Sequence, residues 1–183
     1  MNIKIYTKKG DKGYTTLYDG TKLLKSDNHF EVLGDIDELN SYVGLLNNIN
    51  EDDFLKNIQE RLLDLGSFIA TPETASDSKL NRVNFDIQIE VKTLEEKIDS
   101  MDTILKPLKN FILPGGCLLA CYSHICRTVC RRAERHLIKM NDSESDYYDN
   151  CIMYLNRLSD FFFQYARYCN LKNDKEDIVY KKQ

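Results

Sequence analysis

One cluster of positive charge in the sequence has the spacing of a helix face. Residues 127–137, RTVCRRAERHL, contain four arginines and one glutamate. At about 100° per residue, Arg131 and Arg135 share a stripe, whereas Val129 and Ala133 take the opposite side. Guanidinium groups bind phosphate or carboxylate in bidentate fashion, so this face suits a polyanion. A solvated helix end, where arginines complement the helix dipole, explains the same pattern.

Polar groups next to these arginines, and in the last apolar stripe, extend the candidate site. Glu134 lies among the arginines, where it can hold one guanidinium in place or approach a cation bound to phosphate. Asn156 and Asp160 lie one turn apart in YLNRLSDFFF, with Arg157 beside them. Polar groups with such apolar neighbours need partners or serve a site.

The N-terminal segment also suits phosphate. In TKKGDKG, residues 7–13, the glycines let the backbone approach an anion closely, although the spacing of a P-loop is absent. The side chains that can contribute charge or hydroxyl donors are Thr7, Lys8, Lys9, Lys12, Thr15 and Thr16. A surface turn explains this segment about as well.

Two more segments have both a chemical and a structural interpretation. FILPGG, residues 111–116, ends in a glycine pair that leaves backbone N–H groups available at a helix start, or it simply connects two helices. Asp35, Asp37 and Glu38 fall in the first turn of a helix that we predict from Gly34 onward. Capping and the helix dipole explain these acids, and Asp37 can also pair with an arginine.

Patterns for direct catalysis by side chains are missing from the sequence. No serine–histidine–acid arrangement, nucleophilic cysteine motif or spaced pair of catalytic carboxylates can be picked out. An enzyme with this sequence would therefore leave the chemistry to its bound reactants and supply placement and charge.

The composition describes one soluble, globular domain. The chain has 183 residues, 42% of them hydrophobic and 30% charged, and a net charge of −4. That balance argues against nucleic acid as a partner. No apolar run approaches a membrane span and no signal peptide is visible. We expect a cytoplasmic protein, or a mitochondrial matrix protein if a transit peptide was removed.

The six cysteines favour a reducing compartment rather than a metal site. Cys117 and Cys121 share one face of a helix, whereas Cys126 and Cys130 point to the other side, so one tetrahedral zinc cannot collect all four. No C-x-x-C pair occurs. We therefore interpret these cysteines as core side chains and predict no metal ligands.

Apolar periodicity predicts an all-α fold, a five-helix antiparallel bundle with an extended glycine-rich N-terminal arm. We place the arm at 1–27, the bundle at 28–171 and a charged, loosely held tail at 172–183, all in one domain, 1–183. Asn84 is the expected cap of the third helix, and Ser143 and Asp146 suggest a capped start of the fifth. The stripes begin at Ile36, Phe54, Ile87, Cys117 and Cys151.

Six segments together resemble the PduO-type ATP:cob(I)alamin adenosyltransferases, a family of corrinoid adenosyltransferases. They occur in the family's order, at near-family spacing, from the arm to the last helix. The segments are YTKKGDKG at 6–13, LLKSD around Lys25, GDIDELNS at 34–41, FILPGG at 111–116, HICRTVCRRAER at 124–135 and YLNRLSDFFFQYAR at 154–167.

This resemblance implies transfer of the 5′-deoxyadenosyl group of ATP to cob(I)alamin, giving adenosylcobalamin and triphosphate, with Mg²⁺ bound mainly through the triphosphate. It implies a homotrimer with sites between subunits, an electron-donating reductase and an adenosylcobalamin-dependent enzyme as partners. The implied catalytic residues are Arg131, Phe111, Asp37 and Arg127, with Asp37 paired to Arg127 across the interface and Phe111 under the corrin. The implied ATP contacts are Thr7, Lys8, Lys9, Gly10, Thr15, Thr16, Lys25, Arg131, Arg132, Glu134, Arg135 and Asn156.

Three residues depart from the family pattern. Lys9 replaces a threonine or asparagine, Cys117 a small hydroxyl residue and Cys126 an alanine, which affects the details of the pockets rather than the reaction. The alternative function is a non-catalytic, ATP-sensing helical bundle that binds a partner protein. Such a sensor would need neither Phe111 nor the pair of Asp37 and Arg127.

Overall fold

A computed structural model describes residues 4, 6, 8–76, 86–141 and 146–181, and within these ranges the chain forms five helices and two small sheets. The helices are α1 (Asn28–Asn50), α2 (Asp53–Ile69), α3 (Ile87–Asp102), α4 (Leu118–Met140) and α5 (Asp149–Lys172). The strands are β1 (Tyr14–Thr16), β2 (Lys22–Leu24), β3 (Ile112–Leu113) and β4 (Ile178–Val179). The predicted all-α, five-helix fold is confirmed.

The helices alternate in direction along the chain. α1 packs against α2 and α4, α4 against α5, and α5 against α3. Hydrogen bonds between antiparallel neighbours join Asn40 to Gln59, Arg132 to Asp35 and Asn156 to Glu134. Because of this arrangement, the C-terminal half of α4 lies beside the N-terminal halves of both α1 and α5.

The predicted apolar stripes form the core. Leu39 and Val43 of α1 are fully buried, as are Leu62 of α2 and Leu155 and Phe162 of α5. Burial of a large apolar side chain contributes about 1.5–3 kcal/mol, so these stripes determine which face of each helix turns inward. None of the helices in the described ranges is long and apolar enough to span a bilayer.

The predicted start of α1 was wrong, because the helix begins six residues before Gly34. The Asp27 carboxylate caps it by accepting a hydrogen bond from the backbone N–H of His29 at 3.0 Å. Val32 is fully buried and supplies the first contact with the core. The helix also continues through Asn47 and ends at Asn50.

The predicted caps of two other helices need correction. Asp86 caps α3, where its carboxylate accepts from the N–H of Ile89 at 3.2 Å. Asn84, the expected cap, lies outside the described residues, as does Ser143. Tyr148 precedes α5 and no side chain makes a capping hydrogen bond there, so Asp146, the other expected cap, does not cap this helix.

The described part of the tail, residues 172–181, is not loosely held, in contrast to the prediction. Strand β4 pairs antiparallel with β3, and the N–H of Tyr180 donates to the carbonyl of Phe111 at 2.8 Å. Asp177 accepts a hydrogen bond from the buried Arg167 at 2.8 Å. The partly buried ion pair and the short strand β4 thus hold the described tail in place, although its charged composition alone indicates a solvent-exposed segment.

Residues 14–24 of the arm form a short hairpin. Strands β1 and β2 pair in antiparallel register, and turns precede and connect them. Leu17 is buried and the N–H of Tyr18 donates to the carbonyl of Ala70 at 2.9 Å. The arm is therefore attached to the bundle at the end of α2.

Candidate functional site

The cationic face predicted on α4 is present. Arg131 and Arg135 are exposed, while Val129 and Ala133 on the opposite side are buried. The Nη1 group of Arg135 donates to the backbone carbonyl of Arg131 at 3.0 Å. The Arg131 guanidinium forms no ion pair with a carboxylate within the described ranges. An anion can therefore approach both side chains from solvent.

Glu134 joins this face to α5. The amide nitrogen of Asn156 donates to Oε1 of Glu134 at 2.9 Å, and both residues are partly buried. Asn156 thus has the polar partner that its apolar neighbours required. Arg157 is directed elsewhere, because it binds Glu95 at 2.8 Å and Asp160 at 3.3 Å and thereby ties α5 to α3.

Arg132 has carboxylate partners inside its own chain. Its Nε donates to Asp35 at 2.9 Å, its Nη2 contacts Glu38, and Nδ1 of His136 lies 2.7 Å from the other oxygen of Asp35. The hydrogen bond with Asp35, more than any other cause, raises the pKa of Arg132. The interpretation of Asp35 and Glu38 as first-turn caps was wrong, because α1 starts earlier and both acids bind α4.

Arg127 and Asp37 do not meet within the chain. Nε of Arg127 is buried without a hydrogen-bond partner among the residues that the structure describes. Burial, followed by the positive charge of Arg131, lowers the pKa of Arg127. Asp37 is exposed on α1 and forms no ion pair within the same ranges. A partly buried guanidinium is stabilised by an anion, so this region is suited to contact with another molecule.

The arm collects several of the predicted phosphate ligands. A Cβ atom added to Gly10 would lie 2.9 Å from Nζ of Lys25, so the missing side chain lets that ammonium approach the turn. Lys8 takes a left-handed backbone conformation, with φ at 58°. Thr15 and Thr16 lie on β1, and Lys9 is exposed within the turn that precedes this strand. Thr7 lies outside the described residues.

The arm and the cationic face remain separate within one subunit. Leaving aside Lys9 and Asp19, residues 8–25 make no hydrogen bond or ion pair with residues 127–135 in the described part of the chain. The two sets of predicted ligands, taken from one subunit, therefore do not form a single enclosed site.

The loop before α4 presents its aromatic residue to solvent. The side chain of Phe111 is 85% exposed. Cys117 caps α4, with its sulfur 3.4 Å from the N–H of Ala120, so this cysteine takes over the role that a hydroxyl has at a helix start. Gly116 has a φ of 117°, a conformation that favours glycine.

The buried cysteines are not arranged as nucleophiles. Burial raises the pKa of Cys126, Cys151 and Cys169 to about 12, which disfavours the reactive thiolate. Cys126, Cys130, Cys151 and Cys169 are buried among apolar side chains, as their interpretation as core residues predicted, whereas Cys117 and Cys121 are only partly buried. No cluster of three or more potential metal ligands occurs in the residues that the structure covers.

His124 introduces a pH-dependent contribution to stability. It is only 5% exposed, and Nδ1 has no hydrogen-bond partner among the described residues. Burial, and less strongly the charge of Arg127, lowers its pKa, while Asp177 acts in the opposite direction. The unfolded chain, with a histidine pKa of about 6.5, therefore takes up a proton before the folded chain as the pH falls.

We expect the free energy of unfolding to fall as the pH is lowered from about 7 through the unfolded-state pKa. His124→Gln should reduce this loss, because glutamine does not titrate. Urea unfolding of both proteins at about pH 7.5 and 5.5, on either side of the histidine pKa, measures the difference. Equal losses in the two proteins would contradict this role of His124.

Comparison with known proteins identifies the family. Residues 5–169 match the family model described as cobalamin adenosyltransferase, and the chain belongs to this family. The chain is 39% identical to corrinoid adenosyltransferase MMAB of Mus musculus, with 98% of this chain and 78% of that protein covered. It is 38% identical to the corrinoid adenosyltransferase of Bacillus subtilis, over 98% and 93% of the two chains.

Solved structures of the PduO type share the fold. A phenylalanine-to-alanine variant of the PduO-type ATP:corrinoid adenosyltransferase from Lactobacillus reuteri, complexed with cobalamin and ATP, is 37% identical and superposes with a TM-score of 0.89. The match covers 98% of this chain and all of the other. An arginine-to-lysine variant from the same organism, complexed with ATP, has a TM-score of 0.87, 37% identity and coverage of 97% and 100%. The resemblance to PduO-type enzymes is thereby confirmed.

Proposed function

We propose that this protein transfers the 5′-deoxyadenosyl group of ATP to cob(I)alamin and releases triphosphate. The single observation that carries the proposal is the exposed pair of Arg131 and Arg135 beside the Glu134–Asn156 contact, in a chain of this family. This face offers two guanidinium groups to a polyphosphate. Membership of the family supports cobalamin as the acceptor.

The proposed reaction is a displacement at carbon. The electron pair of Co(I) attacks the 5′ carbon of ATP, a cobalt–carbon bond forms, and the carbon–oxygen bond to the triphosphate breaks. The nucleophile belongs to the substrate, so the protein has two tasks. It aligns cobalt with carbon, and its arginines stabilise the charge that collects on the leaving triphosphate.

Mg²⁺ would accompany the triphosphate rather than occupy a site built by the protein. Only one oxygen of Glu134 accepts a hydrogen bond within the described residues. The other oxygen can accept from a water molecule of a hydrated magnesium ion, which usually keeps several of its waters. The chemistry that the ion supplies is neutralisation of phosphate charge.

Each active site would lie between subunits of a homotrimer. The arm of one subunit, with Lys8, Lys9 and Lys25, would meet the arginines of its neighbour, since the two sets stay apart within one chain. Asp37 would pair with Arg127 across the same interface, where the buried Nε of Arg127 needs an anion. The ATP contacts would also include Thr7, Gly10, Thr15, Thr16 and Arg132.

Phe111 would contact the lower face of the corrin. Its exposed ring can pack where the lower axial ligand of cobalt would otherwise bind. Loss of one donor from cobalt makes reduction of Co(II) to Co(I) easier. The electron must come from a reductase, and the product would serve an adenosylcobalamin-dependent enzyme. We propose the single domain, 1–183, and a cytoplasmic location as the setting of this reaction.

One assay tests the proposed function. The protein is incubated with ATP, Mg²⁺ and chemically reduced cobalamin, and light-sensitive adenosylcobalamin and triphosphate are measured. We expect equal amounts of the two products. Binding of ATP without product above a protein-free control would favour the ATP sensor instead.

A further inference from the structure

Two buried polar side chains near the C-terminal end of α5 hold the partly buried Asp177, which follows the helix. Arg167 is 5% exposed and Asn170 is 2% exposed. Nε of Arg167 donates to Asp177 at 2.8 Å, and the amide of Asn170 contacts the other carboxylate oxygen at 3.3 Å. Both oxygens of Asp177 are therefore held by side chains of α5.

The same group holds both ends of the loop between α3 and α4. Nη2 of Arg167 donates to the carbonyl of Lys106 near the start of the loop. At its end, the amide of Asn170 donates to the carbonyl of Gly115 at 3.0 Å and its oxygen accepts from the N–H of Cys117 at 2.9 Å. Buried polar groups with full sets of partners make such contacts costly to break.

Gly116 shows how close this approach is. A Cβ atom at this position would lie 2.0 Å from Oδ1 of Asn170. A side chain at residue 116 would therefore displace Asn170 from the loop. The sequence of FILPGG did not decide whether its glycine pair serves helix entry or anion binding. In the structure, Gly116 of this pair makes room for the contact with Asn170.

Phe111 lies on the loop that this group holds. Strand β3 follows Phe111 directly and pairs with β4, and the carbonyl of Phe111 accepts from Tyr180. Asp177 is the residue before β4. Since the ring of Phe111 is 85% exposed, its own core contacts cannot fix it. Its position depends on the backbone, and hence on the strand that Asp177 anchors.

We propose that Asp177, held by Arg167 and Asn170, is a positioning residue that fixes Phe111 for the corrin. This inference rests on the proposed function and assigns to the C-terminal segment a role in cobalamin binding rather than in ATP binding. Loss of the Asp177 carboxylate releases β4 from α5 and lets β3 move with Phe111. The cationic face on α4 remains unchanged.

The test compares Asp177→Ala with Glu176→Ala. Glu176 is the adjacent acid, its side chain is 92% exposed, and within the described residues its one ion pair, with Lys106, is 3.9 Å long. Asp177→Ala should raise the KM for cobalamin about tenfold, the effect of losing one charged hydrogen bond, and leave the KM for ATP unchanged. It should also lower the four-coordinate fraction of bound cob(II)alamin in the electronic spectrum. Glu176→Ala should match the wild type, and Asp177→Asn, which keeps one acceptor oxygen, should fall between.

Hydrogen exchange of the substrate-free protein separates this inference from the proposed function. The amides of Leu113 and Tyr180, which belong to the hydrogen-bonded pairs of the β3–β4 ladder, should exchange faster in Asp177→Ala than in Glu176→Ala. Unchanged exchange overturns the anchoring role, whether or not the wild type is active. Faster exchange with an unchanged KM for cobalamin in an active protein overturns the positioning of Phe111. A wild type that forms no adenosylcobalamin overturns the proposed function, and with it the role of Asp177 in cobalamin binding.

Discussion

Arg131→Ala is expected to lower kcat/KM for adenosyl transfer by about two to three orders of magnitude, the usual effect of removing one preorganised donor to a developing anion. Arg131 is exposed on α4 and has no carboxylate partner within the described residues, so its guanidinium is available to the triphosphate. Initial rates of adenosylcobalamin formation at varied ATP measure the effect. Thermal unfolding should change little, because an exposed side chain is removed.

Lys139→Ala provides the matched control for Arg131→Ala. Lys139 is an exposed basic residue in the last turn of the same helix, two turns beyond Arg131. Its replacement removes the same charge from α4 and should leave the rate near that of the wild type. Equal losses in both variants would mean that overall charge, rather than Arg131, attracts the nucleotide. A wild-type rate in Arg131→Ala would remove the cationic face from the mechanism.

Phe111→Ala is expected to lower kcat/KM for cobalamin by at least about tenfold, because burial of a phenylalanine ring against a ligand contributes about 1.5–3 kcal/mol. The truncation leaves the lower face of the corrin open to water or the axial base. The five-coordinate form of bound cob(II)alamin should therefore increase in the electronic spectrum. Since the ring is 85% exposed, the fold should tolerate its loss.

Leu113→Ala is the control for Phe111→Ala. Leu113 lies two residues further along the same loop and is 47% exposed. Its replacement removes exposed apolar surface without removing an aromatic ring and should leave the cobalt coordination unchanged. A Phe111→Ala protein that bound cob(II)alamin entirely in the four-coordinate form would contradict the role of Phe111.

The core of the fold could be predicted from local sequence. Leu39 and Val43 repeat at helical spacing, and so do Leu155, Leu158 and Phe162, and all are buried in the structure. The separation of arginines from Val129 and Ala133 on α4 follows from the same geometry. The buried stripes and the cationic face depend on the spacing of residues within one or two helical turns, so they can be predicted from a single sequence.

Long-range polar contacts could not be predicted. Asp35 and Arg132 are 97 residues apart, and the acid reads equally well as a helix cap. The charged composition of the tail suggests a solvated segment. The role of Asp177 becomes visible only in the folded chain, where Arg167 and Asn170 lie beside it. The apolar periodicity of α1 was read only from Gly34, which left out Val32 and the capping residue Asp27, although the bundle was placed from residue 28.

The central claim is that the arm of one subunit and the arginines of another build each ATP site. Complementation between two inactive variants tests it most directly. One variant carries Lys8→Ala and Lys25→Ala, and the other carries Arg131→Ala. In a head-to-tail trimer, each mixed assembly contains one interface with an intact arm and an intact cationic face.

The measurement is adenosylcobalamin formation by assemblies made by unfolding and refolding an equimolar mixture of the two variants, with native mass spectrometry to verify mixing. A shared site predicts recovery of about a quarter of the wild-type activity, because about three quarters of random trimers are mixed and each regains one of its three sites. Mixed trimers no more active than the two parent variants would contradict the shared site and place all ATP ligands within one subunit.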